Sequence, residues 1–198
     1  MLTFPDTDLA RDAERQLRQT SPDHLVNHCL RSYAWAVAVA DLERVAFDAE
    51  VLFVAAALHD LGLVEEFDLG NPFELDGARA AGAFASTGGL EASRVAVVQD
   101  AVARHLARDV LVEDGPEAYL LWHGTGIDVS GTRVDDLDPS LVADVLGLLP
   151  RQGFQGGFSE MLDQQATTKP HSRASELVSG GLLERLASCP LDRWAPAS

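Results

Sequence analysis

The sequence predicts an all-α fold. Segments rich in Ala, Leu, Val, Arg and Glu alternate with breaks of Gly, Pro, Asp and Ser, and no run of alternating β-branched residues is bounded by a tight hairpin turn. A first helix is expected over residues 7–19. Ser21-Pro22 reads as a cap with proline at the first helical position, opening a second helix to about Ala40. Asp48 opens a third, AEVLFVAAALHD, which is apolar on all sides through Leu58 and so belongs in the middle of a bundle, with Gly62 as its stop. After the loop VEEFDLGNPFEL, Asp76 is the expected cap of a helix to about Ser86. Gly88-Gly89 separate that helix from the amphipathic LEASRVAVVQDAVARHLARD. Pro116 opens a helix holding AYLLWH that is expected to end at Gly124 or Gly126. Asp138-Pro139 repeats the cap-and-proline signal for SLVADVLGLL, two last helices are expected over 158–167 and 172–188, and the final residues read as frayed.

At 198 residues and 46% hydrophobic, the chain suits a single domain, 1–198, with a core over about 20–165 and C-terminal helices packed on it. That apolar fraction excludes disorder, and Cys29 and Cys189 are too few for a disulfide scaffold. No apolar run reaches transmembrane length and MLTFPDTDLARDAER lacks the pattern of a signal peptide, so a cytoplasmic location is expected. With 15 Lys+Arg against 31 Asp+Glu the net charge is −16, which disfavours nucleic acid and anionic membranes as partners. A small-molecule substrate suits the chain better, and an acidic, apolar-rich helical protein could also form a homo-oligomer. Lys169 is the only lysine, which removes most candidates for Schiff-base chemistry.

The chemistry-bearing residues gather at helix ends. His59-Asp60 closes the most hydrophobic helix, where a buried carboxylate beside a buried imidazole is costly unless something compensates charge and lone pairs. A metal ion would do both, and the helix C-terminus also favours a cation. The bland reading is that the pair caps the helix or meets an arginine. His28 shares a helical face with Leu25, Ser32, Trp35 and Val39, so its ring should point inward, as a ligand or as a core histidine bonded to a carbonyl. Asp128, in the glycine-punctuated HGTGIDVSG, falls just past the expected end of an apolar helix, as a ligand or a turn aspartate.

The set His28, His59-Asp60 and Asp128 resembles the signature of the HD-domain hydrolase superfamily: a histidine on one helix, a His-Asp pair on the next, and a distant aspartate. NHCLRSY, ALHDLGL, FELDGARAAGAF and WHGTGIDVSG are further similar to its cyanamide hydratase branch, over about residues 23–160. The resemblance implies an HD-domain helical bundle in which His28, His59, Asp60 and Asp128 hold one divalent metal ion, with Zn, Fe and Mn all compatible with the ligand types. It implies a hydratase or hydrolase that adds water to a small nitrile-like or amide-like substrate, with hydroxide available near neutral pH.

Protonating the nitrogen needs a group near pKa 7, and histidine is the natural choice. His105 is the first candidate, with Val98, Ala101 and Val102 on its face; the alternative is a helix-end histidine complementing the macrodipole. His123 is the second, and if both bound metal the site would hold two ions. Asn27, Thr125 and Glu74 are candidate substrate contacts that could equally support local geometry. His24 and His171 read as surface residues, and Trp35, Phe53, Phe67, Phe73 and Trp122 as core or pocket wall. Two rival functions remain: an HD-type phosphohydrolase acting on a nucleotide or phosphate ester, which needs arginines converging on phosphate, and an inactive binding module with a broken ligand set.

Overall fold

The computed structural model describes residues 3–194, so the C-terminal residues expected to fray lie outside the described part. Among the described residues ten α-helices and four short 3-10 turns make an all-α bundle without strands. The helices are α1 (Asp8–Thr20), α2 (Asp23–Glu43), α3 (Ala49–Leu58), α4 (Phe73–Thr87), α5 (Ala92–Arg104), α6 (Pro116–Ser130), α7 (Pro139–Leu148), α8 (Phe154–Thr168), α9 (Arg173–Ser179) and α10 (Leu182–Ala187). Among the described residues no helix is long and apolar enough to cross a membrane.

α3 is the axis of the bundle. Asp48 caps it by accepting from Val51 N, and every residue from Val51 to Leu58 is buried. α1, α2, α4, α5 and α6 all pack on it, as an all-round apolar sequence requires. Each large side chain buried there contributes on the order of 1.5–3 kcal/mol. α2 lies against α3, α6 and α8, so it presents different faces to three neighbours and is buried along most of its length.

Several boundaries differ from expectation. Ser21 closes α1 rather than capping α2: its N–H donates to Leu17 O, while α2 starts after Pro22 with no side-chain cap. α4 begins at Phe73, three residues before Asp76. The Asp76 carboxylate instead accepts from Leu69 N, Asn71 N and Asn71 Nδ2, tying down the preceding loop. α5 stops at Arg104, because His105 takes the Val102 carbonyl with both its backbone N–H and its ring Nδ1. α8 opens four residues earlier than expected, and the last helix is broken into α9 and α10 at Gly180-Gly181.

The largest difference concerns α6, which continues through HGTGIDVSG to a left-handed cap at Gly131. Gly124 does not end the helix. A Cβ there would lie 2.2 Å from Ser32 O, so the glycine lets the backbones of α2 and α6 touch. Gly77 does the same for α4, where a Cβ would lie 2.6 Å from His59 O. The first contact locks α6 to α2 one turn after His28, and the second locks α4 to the end of α3 at His59.

Candidate metal centre

His28 sits in the buried middle of α2, His59 is the C-cap of α3, and Asp60 follows at φ −99, ψ 10, where the chain turns into a 3-10 segment over Leu61–Leu63. The unwinding after Leu58 lets adjacent residues face the same point. Nε2 of His28, Nε2 of His59 and Oδ2 of Asp60 form a triangle whose three sides are each 3.3 Å. All three side chains are buried, and among the described residues this is the one group of three or more such donors that converges closely enough to hold an ion.

The tautomers are set from behind. His28 Nδ1 donates to Asp128 Oδ2 at 2.7 Å, and His59 Nδ1 donates to Ala56 O at 2.8 Å. With its Nδ1–H committed in this way, each ring in its neutral form turns an Nε2 lone pair inward. Both oxygens of Asp60 are buried without a hydrogen-bond donor, so two lone pairs and a carboxylate confront one another. A cation, an added proton or a buried water would relieve that arrangement. Zinc ligands about 2.0–2.2 Å from a tetrahedral ion lie about 3.3–3.6 Å apart, so the triangle has the dimensions of a ligand set.

The charges of the cluster are coupled. Burial pushes the His28 imidazole down, but its bond to Asp128 and the nearby Asp60 carboxylate outweigh this and raise it. Burial pushes Asp60 up, and the neighbouring His59 and His28 hold it far below the usual carboxylate range. Asp128 is likewise opposed by burial and held low by Arg31 and His28.

Asp128 is not one of the converging ligands, contrary to expectation. It lies on the far side of the His28 ring, where Oδ1 accepts from Arg31 Nε at 2.7 Å and Trp35 Nε1 at 2.8 Å, and Oδ2 accepts from Arg31 at 2.9 Å as well as from His28. Because α6 runs on past Gly124, Asp128 meets α2 from the side and its lone pairs are consumed there. It orients the His28 ring from behind, the place a carboxylate takes behind a histidine that holds a metal. Arg31 also donates to the Leu149 and Pro150 carbonyls at 3.1 Å each, and Arg151 donates to the Asp128 carbonyl, so the α7–α8 link is tied to the same carboxylate. Phe154 stacks on His28 at 4.7 Å between ring centres and holds the opposite face.

A cavity of about 450 Å³ lies against the triangle. His105 reaches it with Nε2 3.6 Å from Asp60 Oδ1 and without a hydrogen-bond partner, its Nδ1 being fixed on Val102 O at 2.6 Å. Burial and the neighbouring His59 push this imidazole down to about 4. Thr125 also lines the cavity and donates to Trp122 O at 3.1 Å. His123 lines it further out, where Arg133 faces its ring nitrogens at 3.3 and 3.5 Å; burial and that guanidinium lower its pKa. Neither His105 nor His123 joins the converging group.

Two expected substrate contacts are elsewhere. Asn27 donates to Pro150 O at 3.0 Å and stands outside the cavity, bracing the α7–α8 link. Glu74 is buried outside the cavity, with one oxygen unpartnered and its pKa raised by burial. His171 is exposed as expected, whereas His24 is half-buried against Gly157. Arg31 and Arg151 were the residues sequence reasoning missed. Arg31 had a readable signal, since it stands three residues after His28 on an otherwise apolar face; Arg151 had none. Compared with protein-family models and with curated proteins, the chain matches none significantly.

Proposed function

We propose that the protein is a metal-dependent hydratase or hydrolase acting on a nitrile-like or amide-like small molecule, with His28, His59 and Asp60 holding one divalent ion. The reading rests on one observation: two inward-facing imidazole nitrogens and an unpartnered carboxylate oxygen, each 3.3 Å from the other two, deep in a helical bundle and open to a cavity. Such an ion would supply hydroxide at neutral pH and polarise the bond under attack. The donor set of imidazole and carboxylate suits Zn, Fe or Mn. The HD-domain resemblance of the sequence points the same way.

The chain's own groups supply the proton transfers. His105 has its Nδ1–H committed to Val102 O, which leaves Nε2 as a free acceptor beside Asp60 and the cavity. It takes a proton from the attacking water and returns it to the nitrogen of the substrate. Asp128 and Arg31 are positioning residues: they hold the His28 ring so that Nε2 stays aimed at the triangle. Phe73, Leu106 and the aromatic wall around the cavity exclude bulk water from the reacting group.

Metal analysis of the purified protein, combined with an amide-release assay over cyanamide and a panel of nitriles, tests the reading. Activity that tracks metal content, disappears with a chelator and returns with Zn, Fe or Mn supports it. A protein that binds none of these ions, or activity indifferent to the chelator, refutes it.

A further inference from the structure

The triangle occupies only one end of a much larger cavity. About 450 Å³ falls within the range of roughly 300–1,000 Å³ found for sites that enclose drug-sized ligands. A molecule as small as cyanamide would leave most of that volume to disordered water against apolar walls. Those walls come from Trp122 and Val129 of α6, Phe158 and Leu162 of α8, Leu177 of α9, and Leu182 of α10. The triangle, with His105 and Thr125, supplies one polar group of the lining, and His123, Ser130 and Thr132 supply another.

Three arginines also line the cavity, and their pairing decides what they offer. Arg133 is held by Asp136 at 3.0 Å and Glu43 at 2.7 Å, while Arg173 and Arg108 share Glu176 at 2.8 and 3.1 Å. Three guanidiniums thus face three carboxylates and the set is neutral. Only the Arg108–Arg173 pair, which shares one carboxylate, offers a surplus positive charge to a phosphate, and a nucleotide would have to approach it against a chain of net charge −16.

We infer that the substrate is a neutral, largely apolar molecule of drug-fragment size whose single polar head, a nitrile or amide, meets the triangle. The inference rests on the hydratase reading for the head group and on the cavity for the body. For a nitrile the water oxygen bonds to carbon, both C–N π pairs pass in turn to nitrogen and take up the two water protons, and a pair left on oxygen closes the C=O bond, giving the amide without net oxidation or reduction. Inner walls built by α6 and α8 and an outer wall built by α9 and α10 select the body.

Isothermal titration with 4-phenylbutyronitrile, cyanamide and adenosine monophosphate, on the protein as purified and after EDTA treatment, separates the possibilities. The expected result is binding of 4-phenylbutyronitrile at least roughly ten-fold tighter than either other probe, little changed by EDTA. Val129→Phe and Leu182→Trp, both at half-buried wall positions, are expected to weaken it at least roughly ten-fold while circular dichroism stays unchanged. Equal or tighter binding of the nucleotide, or nitrile binding indifferent to both variants, overturns the inference. Nitrile binding without amide formation by the metal-loaded protein sinks the hydratase reading but leaves the apolar occupant established, so the two failures are distinguishable.

Discussion

Asp128 Oδ2 lies 2.7 Å from Nδ1 of His28, across the imidazole ring from the nitrogen that faces His59 and Asp60. The carboxylate therefore orients the His28 ring instead of joining the converging group, and it balances Arg31 in a fully buried pair.

Asp128→Asn separates these two roles. It should lower metal affinity about 10–100-fold through the loss of ring orientation. It should also destabilise the fold by about 3–5 kcal/mol, because Arg31 is left buried without its counter-ion. Metal titration and urea unfolding read the two effects; complete loss of metal would mean that Asp128 is a ligand after all.

His59→Ala and His105→Ala should part company. The first removes one side of the triangle and is expected to abolish stoichiometric metal. The second is expected to keep the metal and lower turnover about 10²–10⁴-fold. Elemental analysis of both variants beside a rate assay checks this.

How much of this was legible in the chain depends on what kind of fact is asked for. The all-α class, the central place of α3 and the inward-facing His28 follow from apolar periodicity, which the bundle reproduces. His59 and Asp60 could be singled out because charged groups at the end of such a helix demand compensation. Asp128 could be named as a site residue, but not given its role: sequence spacing does not say which side of an imidazole a carboxylate approaches. The same limit explains Gly124, which as a letter reads as a helix stop and in three dimensions is a point of backbone contact with Ser32. Asp76 was misplaced as a cap because its carboxylate finds donors in the preceding loop rather than in its own helix.

Gly124→Ala tests that contact. The added methyl collides with a backbone carbonyl that cannot rotate away, so a loss of about 1–3 kcal/mol is expected. Thermal unfolding reads it directly. Gly147→Ala, where a Cβ meets nothing within 4 Å, is the control and should be neutral or slightly stabilising.

Asp68 supplies a pH dependence away from the His28–His59–Asp60 cluster. Partial burial opposes its charge, but Lys169 at 2.8 Å, Gly70 N and Gln165 hold its pKa below the ordinary aspartate value. A depressed folded pKa means stability that is present above the unfolded value and lost as pH falls through the folded one. Lys169→Met should therefore cost up to about 1 kcal/mol at neutral pH, and the difference from the parent should vanish in acid below the usual aspartate range. Denaturant unfolding across that pH range reads the difference.

α6 carries two rows of side chains at the same four-residue spacing. Gly124 and Asp128 face α2, while Thr125 and Val129 line the cavity. One row is locked by backbone contact and a buried counter-ion; the other borders empty space. Diversification of the second row can alter the cavity wall without touching the first, so a library confined to positions 125 and 129 would retune selectivity on a chassis whose contacts to α2 stay constant.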